Sequence, residues 1–235
     1  PNSHILWRPD FEAPAVDPLL GGLIPTLEQL TILTKRLGIN EESRVVILDH
    51  KYDATRLWWI LILFGKDPDT VAVLDGGYAA ALEFGLATER EAIRGKVTRG
   101  DWVPRPPKRD LLASMEDVRA MKPPTVTDAY PASTSNETCT ENTNLWDVRT
   151  EDEFHGRVTL KGASKPGRIP WTSGRIDWFL FRNRIDDFAG TWKSSDEIRK
   201  LAASHLGLTW TNDDVQAVDE TKDDERNDIH TFYCH

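Results

Sequence analysis

Apolar and polar positions in the first part of the chain follow a helix pattern and then a strand pattern. In residues 27–37 the leucines recur every three or four positions, which predicts an amphipathic helix. Thr26 is suited to cap the start of this helix and Gly38 to end it. The uninterrupted apolar run Val45–Leu48 then predicts a strand that is buried on both faces.

The same alternation continues downstream. We predict a helix over 54–64, a strand over Val71–Leu74 and a helix over 78–84, with a glycine turn at 75–77 before the last of them. Strands that alternate with helices favour a parallel sheet covered by helices. The pattern therefore predicts an α/β fold.

Two apolar runs occupy equivalent places in the two halves of the chain. Val45–Leu48 leads to Asp49, and residues 230–233 lead to Cys234. Upstream of each run, a helical pattern ends in a Leu-Gly pair. This self-similarity indicates an internal duplication in which Asp49 and Cys234 are equivalent. We expect both runs to be central strands of their sheets.

The rest of the second copy can be divided in the same way. Residues 144–149 predict a strand that ends in charged positions. Thr150, with Glu153 three residues further on, predicts a short helix that begins with a capping box. Ser194 or Ser195 is suited to cap the last helix of the copy.

The duplication implies two domains. Prolines cluster in residues 98–124, which is typical of a linker. We predict an N-terminal domain over 1–105, a linker over 106–124 and a C-terminal domain over 125–235. The stretch 212–228 is rich in acidic residues and poor in large apolar ones, so we expect a mobile surface loop there.

Composition excludes several classes of protein. The net charge of −9 and the pI of about 5.2 argue against a nucleic-acid surface. The longest apolar stretch, 57–64, is too short to span a bilayer. Two cysteines do not form a disulfide framework, which points to an intracellular, reducing compartment.

Cys234 is the candidate nucleophile. A cysteine that ends a buried strand and precedes a helix meets backbone N–H groups and the positive end of the helix dipole, which favour the thiolate. By position alone, the favoured interpretation is a small buried hydrophobic residue. Cys139 lies in a polar stretch and is expected to take no part in catalysis. His235 is also expected to have no catalytic role, because its counterpart His50 follows Asp49, which is inert.

Short motifs in the second copy resemble the tandem-domain rhodanese family, the thiosulfate and 3-mercaptopyruvate sulfurtransferases. Asp147–Arg149 followed by 153–154 resembles the family's Asp-Val-Arg and Glu-Phe signature. Residues 166–170 resemble its Gly-His-Ile-Pro-Gly element, with Arg168 at the His position. Residues 190–194 resemble the Gly-Thr-Phe-Lys-Ser turn that precedes its last long helix.

The first copy carries the same resemblance. Residues 57–59 and 73–77 are similar to the N-terminal domain of the family, which has Asp where the other domain has Cys. The resemblance implies two rhodanese-like α/β domains, each a central parallel sheet flanked by helices. The first would be non-catalytic, with Asp49 at the Cys position, and the second would end at the active-site Cys234.

The activity implied by the resemblance is sulfur transfer through a cysteine persulfide, without a cofactor. Cys234 would take a sulfane sulfur from a small anionic donor, thiosulfate or 3-mercaptopyruvate, and pass it to a thiol or cyanide. Lys161 and Arg168 are the candidate anion-binding residues. Each has an alternative interpretation: Lys161 can be part of a solvated basic loop, and Arg168 can pair with Asp147 or Glu153. The family also suggests a mitochondrial matrix location.

Other polar residues of this region favour structural roles. Arg149 is expected to brace the strand end by an ion pair, and Asp147 to fix the following loop as a hydrogen-bond acceptor. A phosphatase on the same fold would need an arginine in a loop after Cys234 to hold phosphate. The tandem arrangement of two copies, with Asp49 at the Cys position of the first, argues against a phosphatase.

A second hypothesis is a non-catalytic rhodanese-fold subunit of a larger protein assembly. Against the family pattern we expect both domains to be incomplete, because the first lacks its opening strand and the second lacks the elements beyond Cys234. The 235-residue chain is then expected to have negligible activity. Trp171, at a position where the family prefers Gly, also favours this alternative. Trp7, Trp171 and Trp210 would suit partner contacts, or they could fill an ordinary core.

Overall fold

The computed structural model describes residues 3–14, 22–49, 53–86, 98–122, 143–159, 167–177, 179–185, 188–206 and 229–233. The helices are α1 Leu27–Arg36, α2 Asp53–Leu63, α3 Gly77–Glu83, α4 Met115–Ala120, α5 Glu151–Phe154 and α6 Ser195–Leu206. The strands are β1 Val45–Ile47, β2 Val71–Val73, β3 Thr143–Asp147, β4 Gly174–Arg175, β5 Arg182–Ile185, β6 Phe188–Trp192 and β7 Ile229–Tyr233. Short 3-10 helices lie at Arg8–Phe11, Pro68–Thr70 and Arg109–Leu111.

The predicted helix starts are confirmed by their hydrogen bonds. The Thr26 hydroxyl accepts from the N–H of Gln29, while the Gln29 side chain accepts from the N–H of Thr26, which closes a capping box at α1. Thr150 and Glu153 form the same reciprocal pair at α5, as predicted. Local capping chemistry thus determines where these helices begin.

Parallel strand pairing confirms the predicted α/β class. β1 pairs with β2 in register from Val45↔Val71 to Ile47↔Val73. β3 pairs in parallel with β4 on one side and with β7 on the other. β5 and β6 form a separate two-stranded sheet.

The expected strand order needs a correction. Among the described strands β3, not β7, is the centre of the three-stranded sheet, because the short strand Gly174–Arg175 pairs on its far side. β1 has β2 as its one partner there, so neither apolar run is central in the part that is described. β6 also extends to Trp192, through residues expected to form a turn.

Two compact units make up the chain. One contains residues up to Leu112 together with Asn183–Trp192, and the other contains Ala113–Arg182 and the residues from Lys193 onward. The domain boundaries predicted from sequence remain a prediction. The acidic stretch 212–228 lies outside the described residues.

The core of the first unit is built around α2. This helix is apolar on most of its circumference, and its buried face packs with α1 and β1 through Leu30, Leu33, Ile47, Ile60 and Leu63. Leu30, Ile60 and Leu63 have no exposed surface. Burial of large aliphatic side chains on this scale provides the main stabilisation of the unit.

The second unit has two smaller clusters of buried side chains. One joins Met121, Leu145 and Trp171, and the other joins Ile176 to Ala202 and Leu206 of α6. Leu145 of the central strand is fully buried. Across the described parts of both units, no helix combines the length and the apolar character needed to cross a membrane.

Candidate functional site

The carboxyl ends of three strands meet in the second unit. Backbone pairing aligns Arg175 of β4 with Asp147 of β3, and Asp147 with Tyr233 of β7. In open α/β sheets ligands bind outside the carboxyl ends of the strands. Cys234 is the next residue in the sequence after Tyr233, but it lies outside the described residues.

A buried ion pair holds the end of β3. The Asp147 side chain is fully buried and the Arg149 side chain is only 10% exposed. Both Nε and Nη2 of Arg149 donate to the carboxylate, with Nη2 to Oδ2 at 2.6 Å and Nε to Oδ1 at 3.0 Å. The N–H of Arg149 also donates to Oδ1 at 2.9 Å. Asp147 therefore fixes the loop after β3, and the structural roles expected for both residues are confirmed.

Two further hydrogen bonds tie this loop to its neighbours. Arg149 Nη2 donates to the carbonyl oxygen of Gly167 at 2.9 Å, within the Pro-Gly-Arg-Ile-Pro stretch. Arg175 Nη1 donates to the carbonyl oxygen of Arg149 at 3.1 Å. A side chain of β4 thus reaches the loop that follows β3.

Of the two predicted anion-binding residues, only Arg168 lies in the described part of the chain. The Arg168 guanidinium lies over the Phe154 ring, 4.6 Å from the ring centroid, a cation–π contact. Glu153, one of its two expected partners, accepts instead from the Thr150 N–H and hydroxyl, and Asp147 is engaged by Arg149. Lys161 lies outside the described residues.

Trp171 is a core residue rather than a surface for partners. Its side chain is 8% exposed, and its Nε1 donates to the carbonyl oxygen of Val118 at 3.3 Å. Lys122 Nζ lies 5.9 Å from the centroid of its ring. The partner contact expected for Trp171 is therefore wrong, whereas Trp7 is 76% exposed and Trp210 lies outside the described residues.

Asp49, the residue predicted to be equivalent to Cys234, has a defined environment in the first unit. Asp49 Oδ2 accepts a hydrogen bond from the N–H of Ala54, in the first turn of α2, at 2.6 Å. The Asp49 carbonyl oxygen accepts from the N–H of Tyr78 at 2.9 Å. Gly77 has a positive φ of 58°, and a Cβ there would collide with the same carbonyl. In this copy a carboxylate thus occupies the N-terminal end of the helix.

Arg175 is a residue of this edge that the sequence interpretation missed. β4 is two residues long, so it has no hydrophobic periodicity to reveal it. The signal that could have found it is the basic residue that comes after a Ser-Gly pair, shortly after the Gly-Arg-Ile-Pro motif.

The backbone arrangement has a rhodanese fold. SseA from Escherichia coli, a 3-mercaptopyruvate sulfotransferase of rhodanese fold, matches 85% of this chain with a TM-score of 0.57 and 20% identity. Wild-type EanB matches 77% of the chain with a TM-score of 0.57 and 21% identity. An EanB variant with a cysteine persulfide and ergothioneine matches 77% with a TM-score of 0.58 and 21% identity.

These likenesses establish the fold that the sequence resemblance implied. The chain spans 65% of the SseA chain and 42% to 43% of the two EanB chains. No protein-family model and no curated protein matches the sequence. The support for a particular activity therefore comes from the residues of this chain.

Proposed function

We propose that this chain is a rhodanese-type sulfurtransferase whose nucleophile is Cys234. The observation that carries the proposal is the course of β7, which runs parallel to β3 and reaches the carboxyl edge of the sheet at Tyr233, one residue before Cys234. Parallel α/β folds place their ligands at this edge. A persulfide on a cysteine of EanB, a protein of the same fold, gives independent support.

The proposed reaction has two steps at the thiolate. With thiosulfate, the Cys234 thiolate attacks the outer sulfur; a new S–S bond forms, the S–S bond of the donor breaks, and sulfite leaves with the bonding electron pair. With 3-mercaptopyruvate, the thiolate attacks the donor's sulfur and forms an S–S bond; the carbon–sulfur bond breaks, its electron pair stays on carbon, and the thiol proton ends on that carbon, which gives pyruvate. The persulfide then yields its outer sulfur to cyanide or a thiol and returns the thiolate.

Anion-binding residues would orient the donor. Both donors carry a negatively charged group, which arginine and lysine bind by charge-assisted hydrogen bonds. Arg168 is proposed for this role from the sequence resemblance, and the contact of its guanidinium with the Phe154 ring, 4.6 Å from the centroid, gives it a defined position. Lys161 is proposed alongside it from the sequence resemblance.

The chemistry needs only a reduced thiol, so the proposal includes no cofactor. It fits an intracellular reducing compartment, for which the low cysteine content is the support. The mitochondrial matrix is proposed from the family resemblance alone.

A non-catalytic subunit of a larger assembly is the alternative. Trp7 favours it, because a largely exposed indole suits an interface and Trp is enriched among residues that dominate binding. Under this alternative Cys234 carries no persulfide and the exposed Trp7 ring contacts another protein.

The direct test is a single turnover with the 235-residue chain. The reduced protein is mixed with thiosulfate, desalted and examined by intact mass, and sulfite release is measured in parallel. We expect the mass of one added sulfur in the wild type, its absence in Cys234→Ser, and its removal by cyanide as thiocyanate. Cys139→Ser is the matched control and should keep the persulfide. A wild-type protein without persulfide contradicts the sulfurtransferase and supports the alternative.

The single-turnover design also separates chemistry from steady-state rate. A slow multiple-turnover assay alone would not distinguish a weak enzyme from an inactive protein. Rapid turnover that depends on Cys234 would strengthen the proposed function.

A further inference from the structure

Arg168 is a partly buried residue whose charge is not balanced by a neighbour. Its guanidinium carries five N–H donors and is always protonated. Within the described residues this group makes no hydrogen bond and no ion pair, and its contact there is the cation–π contact with the Phe154 ring. A partly buried charge without a hydrogen-bonded partner is unfavourable, so the environment of Arg168 suits an anionic ligand.

The two acidic residues expected to pair with Arg168 are both engaged elsewhere. Asp147 accepts from Nη2 of Arg149 at 2.6 Å and from Nε at 3.0 Å. Glu153 accepts from the Thr150 hydroxyl at 2.6 Å and from the Thr150 N–H at 2.9 Å. Both carboxylates thus have partners of their own, and neither is the counter-ion of Arg168.

Phe154 gives the Arg168 guanidinium a fixed support. Phe154 is the last residue of α5 and is itself partly buried. Its ring packs edge to face against the His155 ring, with 5.1 Å between the centroids and 87° between the planes, an arrangement that aromatic pairs favour. The carbon at the centre of the guanidinium lies 4.6 Å from the Phe154 centroid. The ring therefore restrains the charged end of Arg168.

The backbone of Arg168 is held from the other side. Arg149 Nη2 donates to the carbonyl oxygen of Gly167, the residue before Arg168, at 2.9 Å. Arg149 is in turn fixed by the buried Asp147 carboxylate. Gly167 has a φ of 111°, which a residue with a Cβ rarely adopts. Both the backbone and the charged end of Arg168 are thus held before any ligand binds.

We propose that Phe154 is a positioning residue that holds the Arg168 guanidinium ready for the anionic group of the sulfur donor. The inference rests on the proposed function and adds the residue that prepares its anion site. Because the guanidinium is already restrained, less side-chain freedom is lost when the donor binds. The sulfonate-type group of thiosulfate or the carboxylate of 3-mercaptopyruvate is then the counter-ion of Arg168.

The test measures anion binding without sulfur transfer. All proteins carry Cys234→Ser, so that thiosulfate can bind without forming a persulfide. The dissociation constant is taken from the backbone amide signals of Gly167 and Ile169, followed by NMR as thiosulfate replaces chloride at constant ionic strength. Phe154→Leu removes the aromatic face and keeps an apolar side chain, whereas Phe154→Tyr keeps the face.

We expect Phe154→Leu to weaken thiosulfate binding by roughly twofold to fivefold, because the cation–π contact is lost, and Phe154→Tyr to bind like the parent protein. Arg168→Gln should weaken binding by at least about tenfold. Phe154→Leu should add nothing in the Arg168→Gln background, since its effect passes through the guanidinium. Phe84→Leu is the matched control at a phenylalanine that is 84% exposed, and it should leave the dissociation constant unchanged.

A second measurement does not depend on how well Phe154→Leu folds. The Nε–Hε signal of Arg168, identified by its loss in Arg168→Gln, should shift when thiosulfate is added to the Cys234→Ser protein. A signal that does not shift overturns the inference. Equal affinity in Phe154→Leu and the parent protein also overturns it, as does an equal loss in Phe154→Leu with and without Arg168.

The outcomes separate this inference from the proposed function. A persulfide that forms on the wild-type protein, without any thiosulfate binding at Arg168, overturns the role of Phe154 and leaves the sulfurtransferase intact. Binding that needs both Arg168 and Phe154, without a persulfide on the wild-type protein, supports the anion site and contradicts the sulfurtransferase.

Discussion

The carboxylate of Asp75 accepts a hydrogen bond from the backbone N–H of Trp192, although the two residues are 117 positions apart. The distance from the nitrogen to Oδ1 is 2.8 Å. Trp192 ends β6, and Asp75 precedes the glycine turn that leads into α3. A strand from the C-terminal half of the sequence is thus fixed to the loop after β2 within the first unit.

We expect Asp75→Ala to lower the free energy of unfolding by about 1 kcal/mol, because the bond is charge-assisted but lies at an exposed position. Amide exchange at Trp192 should also become faster. Urea denaturation and hydrogen exchange measure the two effects. Glu83→Ala, which removes an exposed carboxylate at the end of α3, is the control and should change neither; equal exchange at Trp192 in both variants would contradict the contact.

The buried pair of Asp147 and Arg149 predicts a much larger effect. Asp147→Ala leaves the Arg149 guanidinium in a buried site without its counter-ion, at a cost of about 3–5 kcal/mol. We expect a matching loss in urea denaturation. Arg157→Gln breaks exposed ion pairs with Glu151 and Asp152 in the same unit and should cost less than about 1 kcal/mol.

The capping box at α6 predicts a pH dependence. The Ser194 hydroxyl donates to Glu197 Oε2 at 2.7 Å and the Ser194 N–H donates to the same oxygen at 3.0 Å; these bonds lower the pKa of Glu197 below its ordinary value. Because the pKa is lower in the folded state, this contribution to stability is present above the pKa of the unfolded chain and is lost as the pH falls through the folded value.

Ser194→Ala should therefore raise the pKa of Glu197 toward its ordinary value, since the hydroxyl bond is the largest cause of the shift. Carboxyl chemical shifts followed by NMR through an acid titration measure it. Ser204→Ala, which removes an exposed hydroxyl near the other end of α6, is the control. A Glu197 pKa that is the same in Ser194→Ala and wild type would show that the box is not formed in solution.

Features of the fold that depend on neighbouring residues can be predicted from the sequence. The capping pair Thr150 and Glu153 is predictable because its chemistry is complete within four positions. The strand Val45–Ile47 is predictable from its continuous apolar run. The expected burial on both faces is wrong, because Val46 is 62% exposed and only Ile47 of the three residues is buried. The ion pair that Arg149 makes is also local, since its partner Asp147 is two residues away.

Features that depend on distant pairing cannot be predicted in this way. β4 is a strand only because Gly174 and Arg175 pair with the end of β3, and two residues carry no periodicity. The end of β6 is held by a hydrogen bond to Asp75, which lies 117 positions earlier in the sequence. The interpretation of Trp171 is wrong because its position suggests a loop, whereas its burial depends on Met121 and Leu145, which come from elsewhere in the second unit.

The position of Asp49 in the first unit suits a negatively charged side chain. Asp49 places a carboxylate where the N–H of Ala54 and the N-terminal end of α2 meet it. We expect the thiol introduced by Asp49→Cys, in a protein with both native cysteines replaced by Ser, to titrate below the ordinary value of about 8.5. Thiolate absorbance as a function of pH measures this.

The control for this thiol is Glu83→Cys in the same background, which places a thiol at the opposite, C-terminal end of a helix in the same unit. Its thiolate receives no favourable dipole, so it should titrate at or above about 8.5. A lower pKa for the thiol at position 49 would show that this end of α2 stabilises a thiolate. Equal titration would mean that the helix end does not stabilise a thiolate, and the equivalence of Asp49 and Cys234 would then carry no chemical meaning.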